Sequence, residues 1–276
     1  MWDLKLRLVN MLGLITLVVV AALLIDYFRL LRRPTRLGVT VALCGLVVGG
    51  ALTLTAVLPD NEILGPVVFR GDGGEKLVAL TFDDGPYPPY TGEVLDLLAE
   101  FRVPATFFVV GENADRHPEL LKRMAREGHQ VGSHTYHHVD LLKLNARELA
   151  AEMDQTSRAI QSITGHAPTA MRPPHGFRDP AILAAMKERN LKVVEWSVMS
   201  RDWTNPGVET IVERTLSKVK NGSIILLHDG DGLEAKASRA QSVAAARIII
   251  ERLQEEGYRF VTVDELQRQK TEGAWQ

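Results

Sequence analysis

The chain has 276 residues, with 32 Lys and Arg against 34 Asp and Glu and a formal net charge of −2. That length holds one sizeable α/β domain and an appendage. The part beyond residue 58 is acidic overall, so the chain lacks the basic footprint that nucleic-acid binding needs. The single cysteine, Cys44, excludes an internal disulfide and a cysteine-built metal cage.

The first elements in chain order belong in lipid. Leu8–Ile25 and Leu37–Leu58 carry no charge, and each forms a helix about as long as the roughly 30 Å hydrocarbon core. The reading is a two-helix transmembrane hairpin over residues 1–58, with spans of about residues 8–28 and 37–58. A cleaved signal peptide fits less well, because a second span would not follow it directly. Gly45, Gly49 and Gly50 suit close helix packing. Arg29, Arg32, Arg33 and Arg36 lie between the spans, and a Lys/Arg excess marks a cytoplasmic loop. Both termini then face outward, although Lys5 and Arg7 pull mildly the other way. The expectation is a multi-pass cell-membrane protein whose large domain is extracytoplasmic and whose hairpin contacts membrane lipid.

A linker, residues 59–76, leads to a domain over residues 77–268, with a tail at 269–276. Within the domain, short apolar runs rich in β-branched or aromatic residues recur at Leu77–Phe82, Ala105–Val110, Lys192–Val198 and Ser223–Leu227. Strands buried on both faces read this way. Helical stretches alternate with them. Asn145 with Glu148 predicts a capping box, and the helix it opens ends before Gly165. Asp179-Pro180 predicts another helix start, with Asn190 as its stop. Six or seven such units imply a parallel α/β sheet, barrel-like or open, with its helices outside.

The polar clusters fall where those strands end. Asp83-Asp84 follows the first strand; His134, Thr135, His137 and His138 follow His129–Ser133. Arg172-Pro173-Pro174-His175-Gly176 follows Thr169–Met171, Asp202-Trp203 follows Lys192–Val198, and His228-Asp229 closes Ser223–Leu227. Singly, each has an ordinary explanation: a turn at Asp83–Pro86, a surface histidine pair, a satisfied imidazole at His228, or an ion pair of Arg172 with Asp202. Together they converge, because loops after parallel strands share one face of the sheet, where active sites form.

Two imidazoles and one carboxylate are a common ligand set for catalytic zinc. His134 and His138 with one carboxylate of Asp83-Asp84 supply it. The other carboxylate is then free to take a proton from water, and His228 to protonate a departing amine. That combination points to amide hydrolysis. The sequence has no Gly-x-Ser-x-Gly elbow for a nucleophilic serine and no phosphate-binding loop for a nucleotide cofactor.

Thr81-Phe82-Asp83-Asp84-Gly85-Pro86, His134-Thr135-Tyr136-His137-His138, Arg172-Pro173-Pro174-His175-Gly176, Asp202-Trp203 and Leu226-Leu227-His228 occur in this order. They resemble the five motifs of the polysaccharide deacetylase family, also called the NodB-homology or carbohydrate esterase family 4 domain. The resemblance runs over about residues 70–268. It implies a distorted (β/α) barrel of about seven repeats. It further implies Asp83 as catalytic base, His228 as general acid, and Asp84, His134 and His138 as ligands of a divalent metal ion, zinc first, with cobalt or nickel as alternatives. Arg172 would orient Asp83, and Asp202 would tune His228 or anchor Arg172. Pro173, His175, Trp203 and Leu226 would contact substrate, with the His175 backbone N–H facing the oxyanion and Trp203 and Leu226 enclosing the acetyl methyl.

Two positions depart from the family's pattern. His175 stands where an aromatic Tyr or Phe is usual, and Met199 where an aspartate is usual. The expected substrate is an N-acetylated glycan, an extracytoplasmic polysaccharide with N-acetylglucosamine-type residues, peptidoglycan above all. An alternative is a lipid-linked amino sugar carrying an acetyl or formyl group. An alternative of another class is an inactive, membrane-anchored glycan-binding protein.

Overall fold

The computed structural model describes residues 8–30, 37–234 and 236–273. Lys5, Arg7, Arg32, Arg33 and Arg36, on which the membrane orientation rests, lie outside the described residues. Two long helices come first, α1 (Leu8–Leu30) and α2 (Leu37–Val57). Only α2, over Thr40–Val57, is long and apolar enough among the described residues to cross a membrane; the apolar part of α1, Asn10–Ile25, is shorter. The two helices pack on each other at Gly45, where an added Cβ would meet Val19 Cγ2 at 2.3 Å. No such contact exists at Gly50.

The sheet domain follows as β1 (Leu77–Asp83), α3 (Tyr90–Phe101), β2 (Thr106–Val109), α4 (Gly111–Arg116), α5 (Pro118–Arg126), β3 (Gln130–Ser133), α6 (Ala146–Thr164) and β4 (Ala170–Met171). Then come α7 (Pro180–Glu188), β5 (Lys192–Val193), β6 (Val198–Met199), α8 (Val208–Leu216), β7 (Ser223–His228), α9 (Ala240–Glu255), β8 (Arg259–Phe260) and α10 (Val263–Gly273). The strand order is β5-β4-β3-β2-β1-β7-β6, with β8 added at the start of β1. Every ladder is parallel.

The expected strand Lys192–Val198 is two strands. Its first end pairs with β4 and its last with β7, so one run of chain spans both edges of a curved, incompletely closed (β/α) half-barrel. The bend between them is filled from residues 59–76: Val68 N–H donates to Val193 O at 2.8 Å, and Glu195 N–H to Val68 O at 2.8 Å. Part of the expected linker is therefore built into the sheet edge.

Central β1 is buried along its whole length, as its unbroken apolar run implies. Phe82 and Phe107 stack at 5.3 Å within the core that α3, α5 and α9 cover. The helix signals perform as expected. Asn145 Oδ1 accepts from the N–H groups of Arg147 and Glu148, and Glu148 Oε2 accepts from Asn145 N–H. Gly165 ends α6 at φ 82°. Asp179 caps α7 by accepting from Ile182 N–H at 2.9 Å.

Candidate active site

Ladder register sets the site. Asp83 and His228 are paired across β1 and β7, so the last residues of neighbouring strands emerge side by side. His134 follows β3 and Arg172 follows β4, adjacent strands on the other flank of β1. All five clusters arrive on this one face. They border a cavity of about 760 Å³ lined by Asp83, Asp84, His134, His138, His228 and Trp203, with Leu226, His175 and Met199 also in its wall.

Asp84 adopts φ 79°, which turns its side chain away from the strand direction. Its Oδ1 lies 3.3 Å from His134 Nε2 and 3.0 Å from His138 Nε2, and that buried oxygen receives no well-directed hydrogen bond. His134 Nδ1 stands 2.7 Å from the carbonyl oxygen of Arg172. A carbonyl only accepts, so Nδ1 carries the proton and Nε2 turns its lone pair toward Asp84. One ligand atom each from Asp84, His134 and His138 thus lies within 4.8 Å of the others. This arrangement fits a divalent cation held by two imidazoles and a carboxylate. Burial alone would raise the Asp84 carboxyl, but the two imidazoles hold it well below the usual carboxylate range. Opposed in the same way, His138 is raised: burial disfavours its charge and Asp84 more than compensates.

Arg172 is fully buried and turns its guanidinium to Asp83 and its surroundings. It donates to Asp83 Oδ1 at 2.6 Å, Thr81 Oγ1 at 2.8 Å and the carbonyls of Val194 and Glu195. Its plane lies over the Phe108 ring at 4.2 Å. The suggested pairing of Arg172 with Asp202 does not occur, because Asp202 belongs to the other flank. There Asp202 Oδ1 is 2.9 Å from His228 Nδ1, and Oδ2 accepts from His228 N–H at 2.8 Å. Ser242 Oγ donates to Oδ2 at 2.6 Å and Ser200 Oγ to Oδ1 at 3.0 Å. Met199 itself stands in the cavity wall. Burial would lower the His228 pKa, but the Asp202 carboxylate lifts it to about 9. Its Nδ1 is engaged, so its Nε2 is the end free to deliver a proton.

His175 has φ 60°, is exposed, and sets its ring against His138 at 5.5 Å. Trp203 stands edge-on to His228 at 5.1 Å, and Leu226 is almost wholly buried in the cavity wall. Pro173, expected among the substrate contacts, is buried and is not part of that wall. His137, between the two facing histidines, turns to Glu152, with Nδ1 2.6 Å from Oε1.

Three residues that position the site had no signal in the sequence. Asn113 Nδ2 donates to the carbonyls of Asp84 at 3.1 Å and Gly232 at 2.7 Å. Glu152 Oε2 accepts from the N–H groups of Tyr136 and His137. Buried Arg239 holds Gly230 O at 2.5 Å and Asp231 Oδ1 at 2.7 Å. Glycine is required at Gly230, where a Cβ would stand 2.2 Å from Asp84 O.

A parallel half-barrel carrying a carboxylate–imidazole cluster, a held carboxylate and a paired imidazole at its strand ends defines a hydrolase-type site. The family model for polysaccharide deacetylase matches residues 70–194. A peptidoglycan-N-acetylglucosamine deacetylase of Bacillus cereus is 40% identical over 213 residues, 76% of this chain and 97% of that protein. A chitooligosaccharide deacetylase of Sinorhizobium fredii is 42% identical over 68% of this chain and 91% of its own length. Among solved structures, the Bc1960 peptidoglycan N-acetylglucosamine deacetylase superposes with a TM-score of 0.69 at 37% identity, covering 73% of this chain and 92% of that one. BA3943 of Bacillus anthracis, described as a CE4 family pseudoenzyme, superposes at 0.66 with 26% identity over 73% of this chain and 68% of its own. The chain belongs to the polysaccharide deacetylase family, hydrolases of carbon–nitrogen bonds.

Proposed function

We propose that this protein is a metal-dependent N-deacetylase of N-acetylglucosamine-type residues in an extracytoplasmic glycan, with peptidoglycan the foremost target. The carrying observation is the set of three facing donors, Asp84, His134 and His138, in one cavity with the Arg172-held Asp83 and the Asp202-paired His228. The activities of the Bacillus cereus and Sinorhizobium fredii relatives support the same substrate class.

In this reading, Asp84, His134 and His138 hold a divalent ion, zinc before cobalt or nickel. Such an ion polarises a carbonyl and acidifies water when bound. Asp83 takes the proton of the attacking water, and Arg172 keeps that carboxylate aimed. Oxygen adds to the amide carbon, the C–N bond breaks, and His228 Nε2 gives its proton to the amine nitrogen. Acetate and a free amino sugar leave. The His175 N–H serves the carbonyl oxygen as negative charge develops, since preorganised donors there are often a large catalytic contribution. Trp203 and Leu226 enclose the acetyl methyl. The catalytic unit, residues 77–268, is anchored by a hairpin over residues 1–58, with the arginine-bearing link on the cytoplasmic side.

The test is acetate release from chitooligosaccharides and cell-wall glycan in the presence of zinc. Removing a general base typically costs about 10²–10⁴-fold, so Asp83→Asn is expected to lose that much kcat while retaining the native fold by circular dichroism. Equal turnover by native protein and Asp83→Asn rejects the mechanism. The reading as an inactive glycan-binding protein falls if chelator abolishes turnover and added metal restores it.

A further inference from the structure

Val57, the last residue of the apolar stretch Thr40–Val57, lines the same cavity as Asp83, Asp84, His134 and His228. Leu58 and Pro59 continue that wall. The edge of a membrane-length helix and the reacting groups therefore share one space.

Several contacts fix this juxtaposition. The last carbonyls of a helix have no partner within it, and here fully buried Arg178 satisfies the end of α2. Its Nη2 donates to Leu58 O at 2.6 Å and Asn61 O at 2.8 Å, and its backbone N–H reaches Ala56 O at 3.1 Å. The next residue, Asp179, accepts from Leu8 N–H at the start of α1 at 3.2 Å. Both helices are thus tied to the loop that carries His175.

The cavity rim is two-sided. Asp231, held by buried Arg239, and exposed Glu234 offer polar groups to a sugar. Toward α2 the surface is apolar: Leu58, in the cavity wall, is 42% exposed, Leu54, one helical turn before it, 54%, and Ile63, in the turn that follows α2, 78%. From Leu58 the exposed apolar face continues back along α2 through Leu54, Val47 and Leu43 at helical spacing, the surface a bilayer would cover.

We propose that the saccharide deacetylated here is presented on a lipid seated in the bilayer, its sugar in the cavity and its apolar portion along Leu58 and Ile63. The inference rests on the deacetylase and membrane-anchor readings above and narrows their substrate to a membrane-borne glycan. It places the reaction before any step that releases the saccharide from its lipid.

The experiment uses full-length protein with zinc in phospholipid nanodiscs and two probes, dodecyl β-chitobioside and methyl β-chitobioside. They share the reacting sugar and differ only in the aglycone. Confinement to one surface raises effective concentration, so kcat/KM for the dodecyl glycoside is expected to exceed that for the methyl glycoside by at least about tenfold. Probe partitioning into the disc is the same for every variant. The ratio of the two kcat/KM values is therefore expected to fall severalfold in Leu58→Asp and in Ile63→Asp, the second guarding against a folding failure of the first. Equal kcat/KM for both glycosides in the native protein, or a ratio unmoved by both variants, overturns the inference and leaves the deacetylase reading standing. Absence of acetate release from either glycoside and from chitooligosaccharides overturns the deacetylase reading itself.

Discussion

Asp202 receives four donors on two oxygens, from His228 Nδ1, His228 N–H, Ser200 Oγ and Ser242 Oγ. Such a carboxylate stays ionised although buried: burial would raise it, and His228 with its other donors lowers it. Its charge in turn keeps His228 protonated up to about pH 9. In the proposed mechanism His228 is the general acid and must hold its proton at working pH, so the alkaline limb of the kcat/KM profile is expected to report this pair. Asp202→Asn preserves shape and removes the charge. The expected result is an alkaline limb moved to lower pH by about 1–3 units, the usual reach of a neighbouring opposite charge. A bound cation shifts both profiles downward and leaves their difference. Superimposable alkaline limbs for the two proteins would show that Asp202 does not set this proton.

At the scale of elements, the site depends on strand ends being held by helices that follow other strands. Asn113, in α4 after β2, fastens the carbonyls of Asp84 and Gly232, thereby joining the loops after β1 and β7. Partners that orient metal ligands typically contribute 10–100-fold to metal affinity. Asn113→Ala is accordingly expected to weaken zinc binding by about 10–100-fold, measured by competition with a chelator of known affinity. It should also cost about 1–3 kcal/mol of stability for a buried carbonyl left unpaired. Unchanged zinc affinity would reduce Asn113 to a structural role.

This division also explains what could be read in advance. Asp83, Asp84, His134 and His138 carry their chemistry in their own identity and spacing. Asn113 and Glu152 act on backbone groups in other loops of the fold, and nothing local in Gly111–Asp115 or along α6 advertises that. The run Lys192–Val198 was legible as one apolar strand. Its division between β5 and β6 was not, because the bend comes from Val68 inserting between the two sheet edges.

For the whole molecule, the buried titratable groups set a direction for stability against pH. Burial raises Glu195 to about 8, despite Arg178 and Arg172 nearby, and raises Asp229 to about 7. His228 stands at about 9. Each folded pKa lies above its unfolded value, so each contributes stability fully present below the unfolded pKa and lost as pH rises through the folded one. His129 opposes them: burial lowers it to about 4, so it adds stability as pH rises from there toward the unfolded histidine value near 6.5. Above that value His129 contributes no further change, while Asp229, Glu195 and His228 go on losing their extra protons. The metal-free protein is therefore expected to lose thermal stability steadily from about pH 6.5 to 9, followed by differential scanning fluorimetry with chelator. Zinc should flatten that slope. Its ligands bind as neutral imidazole and carboxylate, so affinity rises with pH while the apo fold weakens, and stabilisation grows with the ratio of free ion to Kd. A melting temperature that climbs across this range in chelator would mean that Glu195 and Asp229 are ionised in the folded state, and that Arg178 forms a true ion pair beneath the end of α2.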